Sequence, residues 1–170
     1  MAIVDEICEG WQDVRNGLIK EAELIPADQF GFKPADESRT VVELLQHIVE
    51  AECLITGEVC RNDTDFGRAP FPALVAEYGA HVKNSETKDA LLELLRTSIE
   101  QSKQRIREFG DEKLEQIMTR FDGKEVPKRV MLNFSIAHEM YHRGQVTVYL
   151  RVLGIEPALT KFFKQLAARG

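Results

Sequence analysis

The chain has 170 residues, of which 44% are hydrophobic and 29% charged, and its net charge is −6 at pH 7. This length and composition are typical of a single globular domain over residues 1–170, and no cluster of Lys and Arg interleaved with aromatic residues is present to favour nucleic-acid binding. The N-terminus lacks a signal-peptide pattern and no stretch approaches the ~20 apolar residues of a membrane span, so we expect a cytoplasmic protein without membrane contact.

Two amphipathic helices are predicted in the first third of the chain. Apolar residues of the first segment recur at mostly three- and four-residue steps and form one stripe: Val4, Ile7, Trp11, Val14, Leu18 and Ile25. Pro26 ends this helix. After a loop rich in Gly, Pro and Asp, the capping-box pattern of Thr40 and Glu43 predicts a second helix that runs to about Arg61. Its predicted core stripe is Val41, Leu44, Leu45, Ile48, Ile55 and Val59.

Two further long helices are predicted in the rest of the chain. Gly and Pro residues within 62–83 predict a long crossover loop that contains one short helix at about 72–82. A third helix is predicted over 86–109. A fourth helix is predicted over 127–153, where Gly154 ends it. Helical angles predict that its core face carries Val130, Phe134, Tyr141, Val148 and Val152.

Two smaller elements complete the predicted architecture. Asp122 and Gly123 lie between residues of modest strand character and predict a tight two-residue hairpin turn. The tail at 158–170 predicts a short extra helix. Because the other segments are four long amphipathic helices, the sequence predicts an all-α four-helix bundle with a long crossover between its second and third helices.

The sequence HEMYH, from His138 to His142, matches a pattern in which two histidines one helical turn apart bind zinc and the intervening Glu is a general base. A candidate third ligand is His47, at the edge of the core stripe of the second helix. Three histidines would leave coordination positions open for water or substrate, as in catalytic metal sites. Spacing alone leaves another interpretation open, in which these are core histidines satisfied by hydrogen bonds. His81 is expected to be exposed.

The context of HEMYH disfavours a metalloprotease. Such enzymes take their third ligand from a position downstream of the motif, and here no His follows His142, while the only later carboxylate is Glu156 in a loop. The chain also offers no convincing sheet edge for an extended peptide. We therefore expect Glu139 to be a solvated carboxylate at a cavity rim rather than a catalytic base.

The three cysteines do not predict a disulfide within the second helix. Cys53 and Cys60 are seven residues apart on one helix, hence about 10 Å apart along its axis, beyond the reach of a disulfide. We interpret Cys8, Cys53 and Cys60 as small buried hydrophobic residues in a reducing compartment.

Three segments carry a family resemblance: LIPADQFGFKP, TVVELLQHIVEAE and HEMYHRGQVTVYLRVLGIEP. Together they resemble the DinB-like superfamily, also described as DinB/YfiT-like metal-dependent hydrolases, which is distinct from the similarly named DNA polymerase. The resemblance extends from the first helix to Pro157. It implies a bundle with up-down-down-up helix order and a divalent metal, zinc or nickel, held by His47, His138 and His142.

The resemblance also bears on partners and reaction. Members of this family commonly form homodimers, and some are transferases or isomerases that use the low-molecular-weight thiols bacillithiol or mycothiol. It therefore implies a homodimeric enzyme with a small-molecule substrate, either a hydrolase or a thiol-dependent S-transferase in which the metal activates water or a thiol. The alternative is a non-enzymatic bundle that binds a metal or a small ligand. Catalytic and substrate-binding residues stay unassigned.

Several residues near the histidines have physical interpretations that the sequence leaves open. Arg143 lies away from the core and could meet an acidic partner on another helix or subunit, and Gln145 could orient a ligand or make a buried hydrogen bond. Gly144 in mid-helix predicts the close approach of a neighbouring helix. Glu52, a charge within an apolar stripe, has no explanation at this level.

Overall fold

The computed structural model of the protein describes residues 2–63 and 65–169. These residues form seven α-helices and one two-stranded antiparallel sheet. In chain order the elements are α1 (Ile3–Leu24), α2 (Val41–Val59), α3 (Phe71–Gly79), α4 (Lys88–Phe109), α5 (Asp111–Leu114), β1 (Ile117–Thr119), β2 (Glu125–Pro127), α6 (Lys128–Val152) and α7 (Ala158–Ala167). Short 3-10 segments occupy Ala27–Gln29 and Ala80–Asn84. None of these helices is long and apolar enough to cross a membrane.

The four long helices α1, α2, α4 and α6 form a bundle with up-down-down-up order. Contacts between helix ends establish the directions, and they join Val4 to Asp111, Arg61 to Lys128, and Glu21 to Ala158. Helix α1 is therefore antiparallel to α4 and parallel to α6, while α2 is antiparallel to α6. The predicted all-α bundle and its helix order are confirmed.

Helix ends follow local capping chemistry. The Glu43 amide donates to Thr40 Oγ1 at 3.2 Å and the Thr40 amide donates to Glu43 Oε2 at 2.8 Å, which completes the predicted capping box at the start of α2. Helix α2 ends at Val59, two residues before the predicted Arg61. The predicted crossover with its short helix is confirmed as α3 and the 3-10 segment that follows it.

The hairpin is present, but its predicted turn length is wrong. Strands β1 and β2 pair with Thr119 opposite Glu125, and beyond them the Arg120 amide donates to the Lys124 carbonyl at 2.8 Å. The turn therefore has three residues, Phe121 to Gly123, and Gly123 adopts a φ of 80°. A three-residue hairpin turn places a residue in the left-handed region, which glycine adopts without strain.

The inward face of α6 is rotated from the predicted one. Tyr141, Val148 and Val152, assigned to the core from the sequence, are 65%, 52% and 59% exposed. The buried residues are instead Lys128, Met131, Leu132, Ser135, Glu139, His142, Val146, Tyr149 and Leu150. The prediction is wrong because several of these inward residues are polar, so hydrophobic periodicity pointed to the adjacent face.

The tail folds as the predicted short helix, α7. Its first turn is held by Glu21 of α1, a fully buried carboxylate that accepts from the Ala158 amide at 2.6 Å and the Leu159 amide at 3.1 Å. A carboxylate at a helix N-terminus satisfies free amides and complements the helix dipole. The rings of Phe162 and Phe163 remain exposed.

A polar layer divides the hydrophobic core into two clusters. One cluster includes Leu18, Leu45, Leu95 and Val146, and the other includes Trp11, Leu54, Ile99 and Met131. Between them, each long helix contributes a polar residue: Arg15, Glu52, Ser98 and Glu139.

Candidate metal centre

The structure brings the three predicted histidines together where α2 packs against α6. His138 and His142 are one helical turn apart on α6, and His47 faces them from α2. Nε2 of His138 lies 3.2 Å from Nε2 of His47 and 3.0 Å from Nε2 of His142. One nitrogen from each residue lies within 4.8 Å of the others. His81 is exposed, as predicted, and is not part of this cluster.

The nitrogen geometry fits a shared cation better than a set of hydrogen bonds. The Gln145 amide oxygen accepts from His142 Nδ1 at 2.8 Å, which leaves a lone pair on Nε2 of His142. Nε2 of His138 carries either one proton, which it can donate to only one neighbour, or a lone pair, which cannot bond with the lone pair of His142 Nε2. At least one of the two short contacts therefore cannot be a hydrogen bond. Ligands about 2.1 Å from one ion are separated by roughly 3.0–3.4 Å for angles of 90–109°, and the two distances from His138 Nε2 lie in this range.

Burial keeps the imidazoles neutral. Desolvation is the main cause that lowers the pKa of His47 to about 3 and that of His138 to about 4, and the positive charge of Arg39 acts in the same direction. Desolvation also lowers the pKa of His142. Since metal ions bind the neutral imidazole, all three side chains are ready as ligands at pH 7.

Gln145 takes one of the roles that the sequence left open. Its hydrogen bond to Nδ1 of His142 fixes which ring nitrogen faces His138. A partner of this kind on the distal nitrogen sets the orientation of a metal-binding histidine and increases its basicity.

The polar layer is organised around Arg15, which sequence analysis did not single out. Its guanidinium donates to Glu139 Oε1 at 2.6 Å, Glu139 Oε2 at 2.9 Å and Glu52 Oε2 at 2.7 Å. It also donates to the Leu95 carbonyl at 2.7 Å and Ser98 Oγ at 3.0 Å. All four long helices therefore meet at one side chain. Glu52 lies on the same helix as His47, and Glu139 on the same helix as His138, so this layer couples the two helices that carry the histidines.

The expectation that Glu139 is a solvated rim carboxylate is wrong. Glu139 is buried, and besides Arg15 it accepts from Trp11 Nε1 at 2.7 Å. Both of its oxygens are engaged on the side of α6 that faces α1, away from the histidine cluster. It is therefore not available as the general base of a protease-like site. The same layer explains why Glu52 lies within an apolar stripe, which was the one visible signal of the layer in the sequence.

The other motif residues also differ from expectation. No described residue of another helix lies within 4 Å of a Cβ built on Gly144, so the predicted close helix contact is wrong. The Arg143 guanidinium lies over Gly17 of α1, and no ion pair with an acidic residue forms within the described part of the chain. An acidic partner on another subunit stays a prediction.

Two cavities flank the histidine cluster. The first, which we call the phenylalanine cavity, has a volume of about 390 Å³ and is lined by His47, Ala51, Leu54, Ile55, Phe66, Phe71, Phe121, Phe134 and His138. The second, which we call the polar cavity, has a volume of about 300 Å³ and is lined by Glu37, Ser38, Arg39, Glu43, His47, Glu50 and Lys83. His47 lines both cavities, so an apolar cavity and a polar cavity meet at this side chain.

Comparison with known proteins decides the family. The model of the DinB family matches residues 1–169. The chain belongs to the DinB family. Among its relatives, the DinB-like protein YjoA of Bacillus subtilis (strain 168) is 28% identical over 142 residues, which are 82% of this chain and 84% of YjoA. The crystal structure of YjoA superposes with a TM-score of 0.66, at 25% identity over 88% of this chain and 92% of that one.

Two solved structures of lower sequence identity show the same fold. YfiT from Bacillus subtilis, described as a probable metal-dependent hydrolase with an unusual four-helix bundle topology, has a TM-score of 0.68 and 16% identity, covering 90% of this chain and 89% of YfiT. A mycothiol-dependent maleylpyruvate isomerase has a TM-score of 0.65 and 18% identity, covering 84% of this chain and 60% of the isomerase. The family resemblance drawn from the sequence is confirmed.

Proposed function

We propose that this DinB protein is a metal-dependent enzyme that binds a divalent transition metal, zinc or nickel, through Nε2 of His47, His138 and His142 and acts on a small molecule. The observation that carries the proposal is the convergence of three neutral imidazoles beside two cavities, with Nε2 of His138 within 3.2 Å of Nε2 of both other histidines. When bound, such a metal would act as a Lewis acid and lower the pKa of a coordinated water or thiol.

The residues around the cluster favour a catalytic role over a structural one. Three protein ligands leave at least one coordination position open, and the cavities give that position access to a substrate. The bundle already has two hydrophobic clusters and a hydrogen-bonded polar layer of its own. We therefore expect the fold not to depend on a metal and the protein to stay folded after a chelator has removed it. Unfolding on chelation would favour a non-enzymatic structural metal instead.

The nucleophile is water or an external thiol rather than a cysteine of the chain. Burial raises the pKa of Cys53 to about 12 and that of Cys60 to about 11, and it also raises the pKa of Cys8. These thiols are therefore poor sources of thiolate, and none of them lines a cavity that contains a histidine of the cluster. Two structures with this fold are consistent with these nucleophiles, since YfiT is described as a probable metal-dependent hydrolase and the isomerase depends on mycothiol, a thiol.

An activity screen tests this proposal. Zinc-loaded and nickel-loaded protein would be assayed on activated esters and on electrophilic substrates, with and without a low-molecular-weight thiol, beside the His138→Ala variant. We expect turnover that requires metal and is lost in the variant. Turnover that is indifferent to thiol would identify a hydrolase, and dependence on thiol would identify a transferase. Equal activity of metal-free protein or of His138→Ala would contradict the proposal.

We also propose that two copies of the chain associate through α6 and α7. The support is a set of exposed apolar side chains on these helices: Met140, Tyr141, Val148, Val152, Leu159, Phe162, Phe163 and Leu166. An apolar surface of this kind on a small bundle is usually covered by a partner. Light scattering coupled to gel filtration would give the mass in solution, and we expect a dimer that Phe162→Glu weakens. A monomeric wild-type protein would contradict this proposal.

A further inference from the structure

The phenylalanine cavity is built by side chains from four separate parts of the chain. Phe66 follows α2, Phe71 begins α3, Phe121 lies in the hairpin turn and Phe134 lies on α6. The ring centroids of Phe66 and Phe121 are 6.0 Å apart, and those of Phe121 and Phe134 are 5.5 Å apart. The Phe134 ring lies 6.3 Å from the ring of His138. The aromatic wall therefore runs continuously from the hairpin to the histidine cluster.

The phenylalanine cavity is apolar except at the end formed by the histidines. Apart from His47 and His138, every described residue that lines it is apolar. Arg120 lies over the rings of Phe121 and Phe134 but does not line the cavity. Among the described lining side chains, hydrogen-bonding or coordinating atoms therefore lie at the histidine end, and a ligand's polar group placed against the apolar wall would lose water without a replacement partner. The cavity thus selects molecules with an apolar body and one polar group, and it orients the polar group toward the histidines.

The phenylalanine rings at the mouth of the cavity are exposed, so a ligand that fills the cavity would bury apolar surface. Phe71 is 54% exposed and Phe121 is 51% exposed, although Phe66 behind them is buried. A ligand that covers these rings removes apolar surface from water on both partners. The volume of about 390 Å³ lies near the lower end of the range for small-molecule sites, which is sufficient for an aromatic ring with a short substituent.

We propose that the phenylalanine cavity binds the apolar, preferably aromatic, group of the small molecule on which the enzyme acts and directs its reacting polar group to the His47/His138/His142 cluster. This inference rests on the metal-dependent function proposed above and adds a substrate class to it. The hairpin acquires a role in this account, because its turn supplies Phe121 as one wall of the substrate site. The polar cavity on the other side of His47 leaves a separate route for water or a thiol.

Two metal-chelating probes that differ only in their apolar group test the proposal. Acetohydroxamate carries a methyl group and benzohydroxamate a phenyl ring, and their binding to nickel-loaded full-length protein would be measured by calorimetry. We expect benzohydroxamate to bind about 10- to 100-fold more tightly, because its ring is buried against the phenylalanines. Phe121→Ala and Phe134→Ala should each reduce this ratio severalfold while the acetohydroxamate affinity and the nickel content stay unchanged.

Matched controls separate the possible failures. Phe162→Ala, on α7 and of similar exposure to Phe121, should keep the wild-type ratio. Equal binding of the two probes, or an unchanged ratio in both Phe121→Ala and Phe134→Ala, would overturn the substrate-site inference while leaving the metal function intact. Failure of both probes to bind would count against the metal function itself, and the inference would fall with it. If Phe121→Ala instead changed the mass of the protein in solution, the cavity would be a subunit contact and the inference would be wrong.

Discussion

Replacing Arg15 with Met should destabilise the protein more than the loss of an exposed ion pair does. Arg15 is fully buried and makes five hydrogen bonds, to Glu52, Glu139, Ser98 and the Leu95 carbonyl. Methionine matches part of its length but leaves two buried carboxylates without their cation. Breaking a buried pair in this way costs about 3–5 kcal/mol. For a protein of this length, that loss corresponds to a fall in Tm of roughly 6–20 °C.

The assay is urea unfolding followed by circular dichroism on metal-free protein at pH 7, with Arg96→Met as the matched control. Arg96 pairs with Glu23 at 2.7 Å on the surface, where about half of each side chain is exposed. Exposed pairs contribute about 0.2–1 kcal/mol, so the control should lose no more than that. If Arg15→Met were no less stable than Arg96→Met, the polar layer would not have the structural importance given to it here.

Two extensions of this experiment identify the cause of the loss. If stranded carboxylates are responsible, then replacing Glu52 and Glu139 with Leu in the Arg15→Met background should recover most of the stability, because a buried charge cluster and an apolar one can be about equally stable. Lowering the pH should also reduce the deficit of Arg15→Met, because the folded variant then gains protons that neutralise its unpaired carboxylates. A deficit that stays constant in both tests would refute this explanation.

Three further predictions follow from the site. Gln145→Leu should weaken metal binding about 10- to 100-fold, measured by competition with a chromophoric chelator, because the partner of His142 Nδ1 is lost; an unchanged affinity would remove its orienting role. Gly144→Ala should stabilise the protein by about 0.5–1 kcal/mol in urea, since its Cβ meets open space; destabilisation would indicate a contact with another molecule. Burial lowers the pKa of His47 from 6.5 to about 3 and that of His138 from 6.5 to about 4, so on acidification these histidines are protonated in the unfolded chain before they are protonated in the folded protein. The free energy of unfolding of the metal-free protein should therefore include their full contribution above pH 6.5 and lose that contribution as the pH falls toward 4. In urea unfolding, the decrease between these pH values should be smaller in His47→Gln/His138→Gln, and an equal decrease would contradict this account.

Helix positions and the bundle could be predicted because they depend on local patterns. The apolar stripes of α1 and α2, the Thr40 capping box and the glycine that ends α6 each act within a few residues. The spacing of His138 and His142 likewise fixes their common side of the helix. The grouping of His47 with them followed from its place on a core edge and from the family resemblance.

The predictions failed where partners are distant in sequence. Glu139 was assigned to solvent because a charge on a helix is normally exposed, yet its partners Trp11 and Arg15 lie on α1, more than a hundred residues away. Because buried residues such as Glu139 are polar, the inward face of α6 differs from the predicted one, and Tyr141 and Val148 are exposed. Hydrophobic periodicity cannot anticipate such a difference, because it takes every inward residue to be apolar.

Metal content measured beside the histidine variants tests the central claim most directly. Protein would be purified without added chelator and analysed for zinc and nickel by mass spectrometry, together with His47→Ala, His138→Ala and His142→Ala. His81→Ala, an exposed histidine outside the cluster, would be the control. We predict about one divalent metal per chain in the wild type and the control, and little in each of the three variants. A wild-type protein without stoichiometric metal after incubation with either ion, or a His138→Ala variant with unchanged content, would contradict the account.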